Sequence, residues 1–153
     1  MKNIVLTRID DRLLHGQVVV SWIPSLKINE VLIVDDEYAK DDFMSSLIKE
    51  SSPNNITVNV MSVENSAEYL NLDDNKNNLL ILSRNVENIY KLIELNVKVS
   101  TVNVGGLGYS EGRKKIINSI HMSDSELEIF RKIELKGISV EIQMLPSDKV
   151  QKI

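Results

Sequence analysis

The chain has 153 residues, 42% hydrophobic and 26% charged, which suits a soluble globular protein of one domain over residues 1–153 with a real buried core. A net charge of −4 argues against a nucleic-acid binder, and the absence of cysteine removes disulfides, thiolate chemistry and cysteine-based zinc sites. No apolar run reaches the ~18 residues of a transmembrane helix, and Met-Lys-Asn followed by a few apolar residues is too short for a signal peptide, so a cytoplasmic protein is expected.

Apolar runs alternate with helical patterns along the chain. Ile4–Leu6 reads as the first strand. Val18, Val19, Trp22, Ile23 and Leu26 recur at helical spacing, with Pro24 expected to end or kink that helix near Ile23. Val31–Val34 is a second strand, followed at once by Asp35, Asp36 and Glu37. Phe43, Met44, Leu47 and Ile48 form a helix that Ser51-Ser52-Pro53-Asn54-Asn55 stops. Ile56, Val58 and Val60 alternate as a third strand, and 62–72 suits a helix. After the polar loop 73–78, Leu79–Leu82 is a fourth strand, apolar on both faces.

Val86, Ile89, Tyr90 and Ile93 give the next helix, and Val97 to Val104 contains a fifth strand. Gly105-Gly106-Leu107-Gly108 is expected to be a loop. Ile116, Ile117 and Ile120 suggest one short strand. Ser123 and Glu126 have the spacing of a capping box, and Leu127, Phe130, Ile133 and Leu135 continue that helix to Gly137. Ile138, Val140 and Ile142 alternate as the last strand. This alternation predicts a single open, mostly parallel β-sheet with helices on both faces. Right-handed crossovers then bring Arg8–His15, Asp35–Glu37 and Asn103–Gly108 to one edge, where ligands of such sheets bind.

The densest chemistry lies in residues 8–15. Arg8, Asp10, Asp11, Arg12 and His15 fall between a strand and a helix, with Gly16 and Gln17 at the helix start. A helix N-terminus offers free N–H groups and partial positive charge, and arginine adds bidentate donors for phosphate. His15 is therefore expected to carry a phosphoryl group as an imidazole nucleophile. Its plainer account is a surface or capping histidine with a structural hydrogen bond. A nucleophilic imidazole needs a partner on its other nitrogen, and Asp10, Asp11 or a backbone carbonyl could serve. Arg12 is the better candidate for phosphoryl charge, while Arg8 could instead hold the loop through an aspartate; both could also be plain surface ion pairs.

Asp35, Asp36 and Glu37 could bind magnesium, but helix capping or contact with one of the two arginines, Arg8 or Arg12, is the favoured account. The Asn103-Val-Gly-Gly-Leu-Gly stretch lacks the third glycine of the dinucleotide fingerprint, since Glu111 stands there, and no Gly-Lys-Ser/Thr follows as in a P-loop. It is either a tight loop or a wall of a phosphate site, with Asn103, Gly105 and Gly106 as candidates. His121 is taken as structural; two histidines without cysteine give no catalytic zinc set, and no metal is expected.

Asp10-Asp11-Arg12-Leu13-Leu14-His15-Gly16-Gln17-Val18 strongly resembles the IIB component of the mannose/fructose/sorbose family of the bacterial phosphoenolpyruvate:sugar phosphotransferase system. Trp22, Val34-Asp35-Asp36, Asn103-Val104-Gly105-Gly106 and the ending Gly137–Pro146 also match that pattern, so the resemblance covers essentially the whole chain. It implies a protein-N(pi)-phosphohistidine–sugar phosphotransferase with a covalent phosphohistidine and no other cofactor. His15 would take a phosphoryl group from a phospho-IIA protein or domain and pass it to a hexose-type sugar delivered by membrane IIC and IID partners. Arg12 would by analogy stabilise the phosphoryl group, and Asp10 would hold the active loop. The chain would then be cytoplasmic and peripherally associated with the transporter, with room for self-association. Two features depart from the pattern: Pro24, and Leu82-Ser83-Arg84-Asn85, which lacks the family's aromatic and proline but keeps Arg84 as a cation at a strand end.

Two rival classes are a non-catalytic regulatory domain phosphorylated on aspartate and a nucleotide-binding α/β module. The first would need an Asp after the third strand and a Lys after the fifth, where Met61-Ser62 and Asn103-Val104 stand. The second lacks its glycine fingerprint.

Overall fold

Neighbouring residues of the central strands point into two different cores. Leu32, Val34, Leu79 and Ile81 join one cluster, whereas Val31, Ile33, Leu80 and Leu82 join the other. Successive strand side chains face opposite ways, so a run that is apolar at every position must be covered on both sides. The computed structural model describes residues 1–153.

The main sheet has seven strands in the order β3-β2-β4-β1-β5-β8-β9. They are β1 (Asn3–Asp10), β2 (Glu30–Val34), β3 (Thr57–Met61), β4 (Asn78–Ser83), β5 (Thr101–Gly106), β8 (Ser139–Ile142) and β9 (Gln151–Lys152). All pairings are parallel except β8 with β9. A separate antiparallel hairpin joins β6 (Lys114–Ile117) to β7 (Ile120–Met122). The helices are α1 (Ile23–Ser25), α2 (Asp36–Ala39), α3 (Asp42–Glu50), α4 (Val63–Leu70), α5 (Val86–Glu94) and α6 (Asp124–Leu135). Val18, Ile23 and Ile48 cover one face of the sheet; α4, α5 and α6 cover the other with Leu70, Ile89, Leu92, Phe130 and Ile133.

The direction in which the sheet is extended reverses between β1 and its parallel neighbour β5. The chain leaves β1 over one face towards β2 and leaves β5 towards β8 over the other. Their C-terminal ends therefore flank the crevice typical of open α/β folds.

Four sequence expectations change. The first strand runs on to Asp10, so Arg8 and Asp10 are strand residues rather than loop residues. Gly105 and Gly106 belong to β5 and are buried, because β1 pairs beside them: Asp10 lies opposite Gly106, with a register shift after the Ile9–Val104 pair. The expected strand around Ile116–Ile120 is a hairpin, turned at Asn118, whose φ is 42°. The helix after His15 ends at Ser25, one residue past Pro24, and its change is local: it winds as a π-helix over Val18–Trp22 just before α1. A proline ring clashes with the carbonyl four residues back in an α-helix, and the wider turn makes room for it.

Candidate active site

Asp10 ends β1 and is fully buried, yet it accepts hydrogen bonds from three residues. Its Oδ2 lies 2.8 Å from His15 Nε2 and accepts from Arg8 Nη2 at 3.3 Å. Its Oδ1 accepts from the Arg12 backbone N–H at 3.1 Å and from Arg12 Nε at 3.4 Å. A buried carboxylate needs such compensation, because desolvation penalises an unpaired charge. The result is a single anion that fixes the imidazole, the loop backbone and two arginines together.

The loop between β1 and the helix is built around that carboxylate. Leu13 N–H donates to the Asp10 carbonyl at 3.0 Å, and Asp11 N–H to the Gly106 carbonyl at 3.0 Å. Leu13 adopts φ 54°. A left-handed conformation costs a non-glycine residue about 1–2 kcal/mol. Burial of the Leu13 side chain in the core, 7% exposed, opposes that cost. Asp11 Oδ2 accepts the Gly108 N–H at 2.7 Å, which pins the loop to the end of β5. Val19 N–H donates to the His15 carbonyl at 3.0 Å, so the helix starts directly on His15 with Gly16 exposed in its first turn.

With Nε2–H donated to Asp10, the His15 Nδ1 lone pair is the free nitrogen of the neutral ring. The imidazole is 15% exposed, so it is reachable but held. Arg12 is 48% exposed, and its Nη2 donates to Gln17 Oε1 at 3.3 Å. Arg12 is thus the half-open cation beside the imidazole, and Gln17 its bracket.

The other candidates do not face the open side of the imidazole: Arg8, Asn103, Gly105 and Gly106 are buried behind Asp10, and Arg84 pairs with the acids after β2. Arg8 is fully buried. It donates to Asn103 Oδ1, to the Gln143 carbonyl at 2.9 Å and to the Met144 carbonyl at 3.0 Å, and its guanidinium sits 5.1 Å from the Trp22 ring centre. Burial draws its pKa below the ordinary arginine value, with Asp10 acting in the opposite direction. Asn103, Gly105 and Gly106 support this arrangement rather than lining an open anion site. Asn103 is buried and its oxygen accepts from Arg8, while the two glycines leave room for the Arg8 and Asp10 side chains.

Arg84 stands at the end of β4 but turns to the acids after β2. Its Nε donates to Asp35 Oδ2 at 2.7 Å, Nη1 to the Tyr38 hydroxyl at 3.1 Å and Nη2 to Glu37 Oε2 at 3.4 Å. The hydrogen bond to Asp35 holds its pKa above the usual arginine value. Asp35 also caps α2 by accepting the Tyr38 N–H at 2.9 Å, so the expected capping occurs there, while the arginine in contact is Arg84 and neither Arg8 nor Arg12. Sequence reasoning missed the Gln143 and Met144 carbonyls and the Trp22 indole N–H, which donates to the Met144 carbonyl at 2.9 Å. A backbone acceptor carries no residue signature; only the match of the ending through Pro146 pointed to that segment.

The deciding observation comes from relatives: residues 4–153 match the family described as the PTS system sorbose subfamily IIB component. The chain is a IIB component of this phosphotransferase-system family. It is 34% identical to the fructose-specific EIIB component of Bacillus subtilis over 149 residues, 97% of this chain and 91% of the relative. It is 31% identical to the mannose-specific EIIAB component of Escherichia coli K12, spanning 94% of this chain but 45% of that longer protein. The crystal structure of the N-acetylgalactosamine-specific IIB component 1 from Escherichia coli superposes with a TM-score of 0.93 at 32% identity, covering 99% of each chain. This IIB chain is therefore a sugar-specific phosphotransferase component on the open, mostly parallel sheet of its family. None of its helices is long and apolar enough to cross a membrane.

Proposed function

We propose that this IIB chain is a phosphohistidine carrier: His15 accepts a phosphoryl group on Nδ1 from a phospho-IIA partner and passes it to a hexose-type sugar. The observation that carries this is the 2.8 Å contact between His15 Nε2 and buried Asp10, which leaves Nδ1 as the available nucleophile. Its lone pair attacks phosphorus while the donor histidine's P–N bond breaks and its electrons return to the donor ring. His15 then becomes a phosphoimidazolium that keeps its Nε2–H, and the Asp10 carboxylate stabilises the new positive charge. Arg12 and the free N–H groups at the start of the helix face the phosphoryl oxygens, whose charge dominates the transition state.

In the second step a sugar hydroxyl attacks phosphorus and the P–Nδ1 bond breaks. Its electrons return to the imidazole, and the hydroxyl proton passes to a base or water on the acceptor side. The same exposed loop must meet a IIA donor and then the membrane IIC and IID partners that deliver the sugar, so each contact is transient. Positioning and charge stabilisation suffice for this exchange, and the covalent phosphohistidine is its only intermediate carrier. Residues 1–153 then act as one IIB domain at the cytoplasmic side of the transporter.

The test is transfer of label from phosphoenolpyruvate, through the general phosphotransferase proteins and a cognate IIA, to wild type and His15→Gln. Acid-labile, base-stable label on wild type alone is expected, with a phosphorus resonance of an Nδ1-phosphoimidazole. Equal labelling of both proteins sinks the reading.

A further inference from the structure

The acceptors that hold Arg8 from the far side belong to a turn with its own locks. After β8 ends at Ile142, the chain leaves regular structure. Gln143 N–H still donates to the Val104 carbonyl of β5 at 3.1 Å. The Gln143 side chain then folds over the turn, and its Nε2 donates to the carbonyls of Pro146 and Asp148, each at 3.1 Å. Asp148 closes it from the other end: its Oδ2 accepts the Leu145 N–H at 3.0 Å. The turn so fixed presents two carbonyls inward. Gln143 and Met144 offer them to Arg8, and Met144 shares its own with the Trp22 indole.

One oxygen makes this matter for His15. Asp10 Oδ2 accepts from His15 Nε2 at 2.8 Å and from Arg8 Nη2 at 3.3 Å. Both donors share that oxygen, so the place of one bears on the place of the other. A fully buried guanidinium must keep acceptors for its charge, and the turn supplies two: the Gln143 carbonyl to Nη1 and the Met144 carbonyl to Nη2, the nitrogen that also faces Asp10. Without them more of the Arg8 charge would fall to Asn103 and to Asp10 Oδ2, the oxygen that also holds the imidazole.

We propose that the C-terminal turn Gln143–Asp148 sets the position of His15 through Arg8 and Asp10, with Gln143 and Asp148 as positioning residues. Its consequence for catalysis rests on the phosphoryl-carrier reading; the positioning itself does not. No hydrogen bond of either side chain reaches the 10–15 loop. They act through the Gln143 and Met144 carbonyls, which hold Arg8 and, from Met144, the Trp22 indole.

The test uses the full chain in three variants. Gln143→Glu keeps the size but turns a carboxylate towards two carbonyls. Asp148→Ala removes the lock on Leu145, whereas Asp148→Asn keeps an acceptor oxygen there. In 15N-labelled protein the single Trp22 indole N–H reports the turn, the His15 Nε2–H reports the bond to Asp10, and backbone amides outside the turn report the fold. Gln143→Glu and Asp148→Ala are expected to move the Trp22 signal and to shift or broaden the His15 signal, with Asp148→Asn like wild type. In the transfer assay the first two slow phosphorylation about tenfold at saturating donor, with the half-saturating donor concentration unchanged.

A moved Trp22 signal beside an unmoved His15 signal overturns the proposal, and so does a Trp22 signal unmoved in both disruptive variants. A wild type that takes no label sinks the carrier reading instead; the His15 signal then decides the positioning role by itself.

Discussion

The guanidinium of Arg8 occupies the space that a side chain at Gly105 would need. A Cβ placed on Gly105 would lie 1.8 Å from Arg8 Nη2 and 1.9 Å from Cζ. The tip of an arginine can usually swing aside. This one is fully buried and tied to Asn103, Asp10 and two carbonyls, so it has nowhere to go. Gly105→Ala should therefore destabilise the fold by roughly 3 kcal/mol, from overpacking and a displaced buried charge. Urea denaturation measures this. The clash also predicts that Gly105→Ala adds much less destabilisation when Arg8 is already Met. Full additivity of the two changes would show that they do not share that space.

Asp10 is the second test. It accepts from Arg8, His15 and the Arg12 loop backbone at once, and an asparagine cannot do so. Either orientation of the amide turns its NH2 towards existing donors. Asp10→Asn should lose about 3 kcal/mol of stability and slow labelling of His15 by at least ~10²-fold. A folded Asp10→Asn protein that takes label at the wild-type rate would remove Asp10 from the mechanism.

Much of this architecture was legible from residue types, and the remainder has a common cause. The strands and helices around Val31–Val34, Leu79–Leu82 and Ile89 follow from periodicity, because burial on one face or both imposes it. His15, Arg12 and Asp10 do lie together, being close in sequence. Gly105 and Gly106 read as a loop because glycine disfavours strands locally; in the fold they sit in β5, where the Arg8 and Asp10 side chains fill the space beside them. That contact spans ninety-five residues between Arg8 and Asn103, which no local pattern encodes. Arg84 was visible as a cation at a strand end, but its partners on the neighbouring strand's loop were not. The Ser123–Glu126 capping box was foreseen from spacing and is present, whereas Arg113, which joins it across thirteen residues, was not.

That capping box carries a pH prediction. Burial would push the Glu126 carboxyl up, but the hydrogen bonds from Arg113 and from the Ser123 N–H outweigh it and hold the pKa below the usual glutamate value. Its proton therefore binds the unfolded chain more readily than the folded one. The stabilisation is complete above the unfolded pKa, near ~4.3, and is lost as pH falls through the lower folded value. The urea midpoint of wild type should drop more steeply than that of Glu126→Gln below about pH 4.3. Parallel curves for the two proteins would deny the Arg113–Glu126 pair any part in acid unfolding.

Arg12 and Arg84 offer the sharpest contrast. Arg12 is half exposed beside His15, and its bonds to Asp10 Oδ1 and Gln17 are long, at 3.4 and 3.3 Å. Such contacts leave its charge free to turn to a phosphoryl group. The Arg84 guanidinium sits 3.9 Å from the Tyr38 ring centre, and its Nε, Nη1 and Nη2 all have partners among Asp35, Tyr38 and Glu37. Asp35 is 2% exposed, so removing Arg84 strands a buried carboxylate with only the Tyr38 N–H to face it. Arg84→Ala should thus cost about 2 kcal/mol of stability and change the labelling rate at saturating donor less than about twofold. Arg12→Ala should do the reverse: little loss of stability, and labelling slower by about 10²-fold, the scale of losing a preorganised donor to transition-state charge. Both variants are read by urea denaturation and by the rate of label transfer from the same phospho-IIA. If folded Arg84→Ala slows labelling as much as Arg12→Ala, the arginine at the end of β4 reaches the phosphoryl group after all, and the assignment of that charge to Arg12 rather than Arg84 fails.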